Sequence, residues 1–484
     1  MNETMRGSLF LILSSIGIAF FNYLLSIALS WLLEPAAFGM IGVSQSFIFL
    51  GSWFLIAGFP WVTAKTLARV PAVEYPTIYP ILRGTLWGNL LLGLLLAGGL
   101  LLAFELRWLP LGDVYSPLLF WVAVIIFLIA TRMTFNAVMQ GRLHFGQLAL
   151  VRTVEVLIQF ATALLLVLND YGAPGALAGF AFGTACSWIL AFWFCRDLPF
   201  WFAKGFDKRA LFALRPAIPF LLANLSMVLL VNLDLLALRF LSEPNVADEL
   251  VGRYQVATVL ARIPYFVCQS VVAIIFPLIA RYAPQSQKAY QASRQALQLV
   301  VSFILGLNII LVVASEPTIT FFFPPVYLES ASALRLLATS MAGIILIQTL
   351  TTILQARESI WIPAMLLPPA VLVQLLVAWW LVPNYGLNGA ALASGMASLF
   401  ALVAMGLATR YVFPALMSLA WGRLAKQGVA FLLLATIVAF LPPLGRLPTA
   451  LWIATAVACY GVTLWGLHLI DHSIWDMLRQ EHQS

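Results

Sequence analysis

Asn169-Asp170-Tyr171-Gly172-Ala173-Pro174-Gly175-Ala176-Leu177-Ala178-Gly179 comes back further along the chain as Asn384-Tyr385-Gly386-Leu387-Asn388-Gly389-Ala390-Ala391-Leu392-Ala393-Ser394-Gly395. Tyr171, Gly172, Gly175 and Ala176 precede Tyr385, Gly386, Gly389 and Ala390 by 214 residues. Working outward, other pairs keep nearly the same offset. Glu34-Pro35 matches Glu243-Pro244, Gly39 matches Gly252, Ala68-Arg69 matches Ala280-Arg281, and Gln140 matches Gln355, all with offsets from 209 to 215. One dipeptide match means little, but an ordered series at one spacing indicates two copies of a single unit.

The copies are built from apolar runs. Of 484 residues 62% are hydrophobic and 9% charged, against the roughly 25% charged residues of a soluble domain. A helical crossing of the bilayer takes about 20 apolar residues, and runs of that length recur at 8–33, 40–67, 83–104, 115–139, 148–168, 173–195, 211–241, 252–281, 295–315, 330–355, 361–382, 388–411, 423–442 and 447–470. The ~10-residue alternation of a membrane β-barrel is missing. The expectation is an all-α polytopic membrane protein of fourteen helices. Residues 1–195 form an N-lobe of six helices, 196–210 a basic cytoplasmic linker, 211–411 a C-lobe of six more, and 412–484 two added helices and a tail. Six crossings per copy make the repeats parallel. Assigning the basic loops to the cytoplasmic side puts 19 of the 26 Lys and Arg inside, leaves only Arg107, Arg239, Arg253 and Arg446 in outer loops, and sets both termini in the cytoplasm.

That distribution accounts for the net charge of +7 without nucleic acid. Cys186, Cys195, Cys268 and Cys459 make no CxxC pair, and the four histidines lack metal-ligand spacing, so neither a disulfide framework nor a metal site is expected. No P-loop and no GxSxG in a strand-turn-helix context occur, and no loop has room for a catalytic domain. The chain therefore reads as no enzyme, with no cofactor.

Charges within membrane helices are costly and mark pathways or internal pairs. Here they are Arg132, Glu155, Asp234, Arg262 and Arg335. Arg132 and Glu155 lie at similar depth, ~10 Å from the cytoplasmic ends of consecutive helices at 1.5 Å per residue, so they are placed to pair. Toward the outer side, Arg262 and Arg335 accompany the single Asp234, which leaves a positive charge for an anion; guanidinium forms bidentate bonds with phosphate. Asn22, Gln45, Asn224, Asn232, Gln255 and Gln269 are candidates for hydrogen bonds to a polar ligand or between helices. Prolines such as Pro219, Pro264, Pro277, Pro368 and Pro369 are candidate kinks. Trp31, Trp108, Tyr115 and Trp379 read as an interfacial aromatic belt.

The opening MRGSLFLILSSIGIAFFNYLLSIALSWLLEPAAFGMIGVSQSFIFL with GFPWVTAKTLAR, and later VNLDLLALRFLSEPNVADELVGRYQVATVLARIP with IIFPLIAR, resemble the polysaccharide transporters. These form the oligosaccharidyl-lipid flippase group of the multidrug/oligosaccharidyl-lipid/polysaccharide (MOP) superfamily. The resemblance implies two six-helix lobes that alternate access to a polar, net-basic cleft. It implies flipping of an undecaprenyl-pyrophosphate-linked oligosaccharide from the cytoplasmic to the outer leaflet of a bacterial inner membrane. Arg262, Arg335, Arg132, Asn22, Gln45, Asn232 and Gln255 become the expected substrate contacts, and Asp234 and Glu155 the ion-coupling or ion-pairing acids. Partners would be the lipid-linked oligosaccharide, membrane lipids, and a glycan polymerase or export machinery. A cation-coupled multidrug exporter, a peptidoglycan-precursor flippase and a non-transporting scaffold of a glycan-export complex remain the alternatives.

Overall fold

A computed structural model describes residues 3–57, 59–68, 70–198, 218–266, 268, 286–357 and 359–414, with parts of 429–463. The linker expected at 196–210, beyond Leu198, lies outside these residues, as do Gln269, Pro277 and most of the two C-terminal helices. The described residues are nearly all helical: α1 (Glu3–Leu32), α2 (Pro35–Ala57), α3 (Phe59–Leu67), α4 (Tyr75–Glu105), α5 (Ser116–Gly141), α6 (Phe145–Leu168), α7 (Gly172–Phe194), α8 (Ile218–Leu241), α9 (Pro244–Ala261), α10 (Gln287–Val313), α11 (Ser315–Phe322), α12 (Ser330–Ala356) and α13 (Trp361–Val412). Among the described residues ten helices are long and apolar enough to cross a membrane. The chain is a polytopic α-helical membrane protein.

Several boundaries differ from the sequence reading, each for a local reason. The run 40–67 is two helices, because Pro60 at the start of α3 cannot extend the hydrogen-bond ladder of α2. The eighth crossing starts at Pro244 rather than 252, since proline is pre-set for a first helical turn. Arg253 therefore lies within a helix, not in an outer loop. The runs 361–382 and 388–411 form α13, two helices meeting at Gly386, whose φ of +52° is strained for any residue with a Cβ.

Both copies of the quoted repeat have the same local build. Gly172 has φ +56° where Gly386 has +52°. Asn169 Nδ2 donates to the carbonyl of Leu165 at 2.8 Å, and Asn384 Nδ2 to that of Trp380 at 2.7 Å, each reaching one turn back. A Cβ on Gly175 would collide with Tyr171, and one on Gly389 with the carbonyl of Leu381. A short 3-10 turn ending in a buried tyrosine precedes a long helix twice, at Asp113–Tyr115 and at Pro325–Tyr327.

The chain divides into two compact units, 1–252 and 253–484. Within the first, α6 packs along α7 and α1, α5 along α4 and α7, and α2 along α8. Bilayer-embedded helices gain little from apolar burial against each other, so close contact relies on small residues. Gly179 lies on the backbone of Ala163, and Gly93 on the methyl group of Ala130. A cluster of Leu67, Leu82, Phe135, Val138, Leu148, Val151 and Cys195 closes one end of α3–α7. In the second unit α12 packs on α13 and α10. Leu434, Val438 and Tyr460 of the C-terminal segment pack on Ile310 and Ala314 of α10, and the Tyr460 hydroxyl donates to the carbonyl of Ser302 at 2.5 Å. The residues expected to form two added helices thus dock on α10.

Candidate functional site

The intramembrane charges are placed by helices that the apolar runs already demanded. In the first unit Arg132 of α5 and Glu155 of α6 form a buried ion pair. Arg132 Nη1 also donates to Ser187 Oγ at 3.0 Å; Ser187 in turn donates to the carbonyl of Thr184 at 2.8 Å. Gln159 Nε2 reaches Thr184 Oγ1 at 3.4 Å. Gly183 makes this possible: any side chain there would run into Gln159 and the Glu155 backbone, so α6 and α7 could not close over the charges. The guanidinium is held by a carboxylate and a hydroxyl inside the helix packet.

Asp234 lies fully buried on α8, with the amide of Leu235 donating to its Oδ1 at 2.9 Å. Asn232 and Asn224, considered as ligand or interhelical contacts, spend their amide groups on their own helix, donating to the carbonyls of Val228 at 2.8 Å and Phe220 at 2.7 Å. Gln255 is buried in α9, Gln45 half-buried in α2, and Asn22 exposed on α1.

Arg262 occupies a break in its helix. α9 ends at Ala261, a turn falls on Arg262, and helix resumes at 263–266 around Pro264. A proline ring removes one backbone donor and crowds the carbonyl four residues before it. Arg262 is half-buried there. Arg335 of α12 carries its own partners: Nη2 donates to Glu316 Oε1 and Nε to Ser315 Oγ, both at 2.8 Å, and both acceptors belong to α11. Counting two arginines against Asp234 omitted Glu316, which the sequence reading had placed just past the end of a helix.

A further constellation was not anticipated. Tyr115, assigned to the interfacial belt, is 1% exposed, and Arg239, assigned to an outer loop, is buried in the last turn of α8. Both converge on Asp248 of α9. The Tyr115 hydroxyl donates to Asp248 Oδ1 at 2.5 Å, Arg239 Nε lies 2.7 Å from the same oxygen and 3.3 Å from the Tyr115 hydroxyl, and the guanidinium stands 5.3 Å from the centre of the tyrosine ring. The signal was present in the sequence, in that Arg239 and Asp248 flank the Glu243-Pro244 turn, but helix limits misplaced by eight residues hid it. Trp31, Trp108 and Trp379, the other belt residues, are exposed.

Among the described residues no group of three His, Cys, Asp or Glu could hold a metal ion. The arrangement offers guanidinium groups, buried acids and amides on helices that cross the bilayer. Such groups replace the hydration of a polar solute during passage.

Residues 4–283 match the model of a family described as polysaccharide biosynthesis protein. A search of curated protein sequences returns no significant match. Among solved structures, the chain is similar to the lipid II flippase MurJ in an inward closed conformation, with a TM-score of 0.67 and 14% identity over 95% of this chain and 98% of that one. It is similar to an inward-facing multidrug resistance MATE family transporter of the MOP superfamily, with a TM-score of 0.62 and 16% identity over 84% and 99%. A MOP superfamily transporter from Pyrococcus furiosus gives a TM-score of 0.61 and 15% identity over 86% and 96%. These are flippases and transporters, not enzymes. With more than half its length under the family model and the fold shared with MurJ and MATE proteins, the chain belongs to the polysaccharide biosynthesis protein family, within the MOP superfamily.

Proposed function

We propose that this protein is a flippase that carries an undecaprenyl-pyrophosphate-linked oligosaccharide from the cytoplasmic to the outer leaflet of a bacterial inner membrane, by alternating access and without making or breaking a bond. The family match over residues 4–283 carries the reading. The likeness to a lipid II flippase over 95% of the chain, compared with 84% for the MATE transporter, supports a lipid-linked substrate.

The physical task is to replace the water around sugar hydroxyls and a pyrophosphate, whose unaided passage through hydrocarbon is prohibitive. Arg262 is the leading phosphate contact, because a broken helix frees backbone groups beside a guanidinium with bidentate geometry. Asn22 and Gln45, which keep open surface, are the sugar contacts next in line, followed by Gln255 and Asn232. Arg132 and Arg335 act through their carboxylate partners, holding local charge balance. Asp234 is the candidate coupling acid. A glycan polymerase or export machinery would receive the product.

Purified protein in liposomes with a fluorescent polyprenyl-pyrophosphate oligosaccharide tests the reading, by following how quickly the headgroup becomes accessible to an impermeant quencher. Exposure faster than in protein-free liposomes supports it. No acceleration, with or without a proton or sodium gradient, sinks it in favour of the drug-exporter or scaffold alternatives.

A further inference from the structure

We infer that Tyr115, Arg239 and Asp248 form a latch, which holds the α8–α9 hairpin against α2 and α5 and has to open in each transport cycle. The inference rests on the alternating access proposed above for its purpose, though not for its measurement.

The latch joins parts from both sequence copies. Tyr115 introduces α5 of the first copy, whereas Arg239 and Asp248 flank the Glu243-Pro244 turn of the second. One carboxylate oxygen serves both donors, the hydroxyl at 2.5 Å and the guanidinium Nε at 2.7 Å. Tyr115 and Arg239 are buried, and only the Asp248 side chain, 19% exposed, keeps an edge toward the surroundings. A buried charge pair is a weak source of net stability but a strong discriminator between arrangements, since either charge left alone is costly. Such groups suit an element with two discrete positions.

The neighbouring contact has the same character. Gly39 of α2 faces Asp248 and Gly252 of α9 so closely that a Cβ on Gly39 would collide with the Asp248 carbonyl, and one on Gly252 with the carbonyl of Pro35. Backbone lies on backbone, with no interdigitated side chains. Surfaces of this kind part without repacking a core, and three hydrogen-bonded side chains are then what keeps them together. The count of basic residues assigns this end of the helices to the outer face.

The test places spin labels on Phe120→Cys of α5 and Val246→Cys of α9, both exposed positions, in full-length protein without its native cysteines, reconstituted in lipid nanodiscs. Double electron–electron resonance then reads the α5–α9 distance. Unmodified latch residues are expected to give a dominant short distance. Asp248→Asn should raise the ratio of long to short populations about tenfold or more, with Tyr115→Phe moving it in the same direction by less. The charge-exchanged Arg239→Asp/Asp248→Arg should return it toward the short distance. Unchanged distributions in both Asp248→Asn and Tyr115→Phe overturn the latch. Should Asp248→Asn fail to fold, Tyr115→Phe, which removes a single hydroxyl, decides alone. Altered distances with an unaltered headgroup-exposure rate overturn its role in the cycle. If the wild type flips nothing, the flippase reading falls and the distance measurement still decides whether the latch moves.

Discussion

Cys195 shows how far one side chain's chemistry follows from where its helix ends. It stands just past α7, 1% exposed, with its Sγ directed at the carbonyl of Phe135 at 3.6 Å. Burial, aided by nearby Asp197, pushes its thiol up to about 12, so thiolate is scarce at pH 8. Cys195 is expected to resist maleimide in the folded protein and to react only after denaturation, as peptide mass spectrometry would register; labelling of the native protein at the rate of a free thiol would contradict this placement. The Arg132–Glu155 pair makes a second prediction at this scale. Arg132→Met strands a buried carboxylate and should cost about 2–4 kcal/mol, while adding Glu155→Leu should recover most of the loss. Thermal unfolding in detergent distinguishes this from an exposed pair, for which both variants would sit near the wild type. The pairing of these two residues was legible in the sequence, because 1.5 Å per residue placed them at one depth. The pairing of Arg335 with Glu316 was not, since it needs the short α11 to turn back toward α12.

Among the elements, the joints carry more information than the spans. Gly172 and Gly386 hold positive φ at equivalent points of the two copies, and Gly386→Ala should cost about 1–2 kcal/mol through backbone strain alone, because nothing lies near enough for a Cβ to strike. A melting temperature unchanged by Gly386→Ala would mean that the joint relaxes. Gly252→Ala is a different experiment: its φ is ordinary and its obstacle is the Pro35 carbonyl, so it should push α9 off α2 and shift the α5–α9 distance as Asp248→Asn does. The helix ends also show how copies diverge. Arg142, at the end of α5, forms a two-bonded pair with Asp197 at 2.7 and 3.0 Å. Its counterpart Arg357, 215 residues on at the end of α12, is instead stacked between the rings of Tyr290 and Phe413 at 4.0 and 3.8 Å. Cations at helix C-termini complement the helix dipole in both cases, with different partners fixing them.

For the whole molecule, the split of basic residues predicts which loops face which side. In a background without native cysteines, Trp108→Cys, between α4 and α5, should react with an impermeant maleimide added to intact cells, and Leu143→Cys, between α5 and α6, should react only after permeabilisation; both positions are exposed. The reverse pattern would invert the topology. In the liposome assay Arg262→Ala should slow headgroup exposure by about tenfold or more, the effect of losing one charge-assisted contact of roughly 1.5–3 kcal/mol, and an unchanged rate would return Arg262 to a structural role.

The sequence by itself determined that the chain is helical, crosses the bilayer many times and contains a repeated unit. Those properties follow from local composition and spacing: apolar runs of bilayer length leave the backbone no alternative to helix, and Asn-Tyr-Gly at one offset writes the same turn twice. Tertiary structure decided which polar groups meet. Asp248 was an unremarked acid in a presumed loop until α9 began at Pro244 and carried it to Tyr115 and Arg239, more than 120 positions away for Tyr115. Contacts at that separation depend on how helices pack and where each one begins to within a turn, and a displacement of two turns at Pro244 is enough to turn a buried latch into three unrelated surface residues.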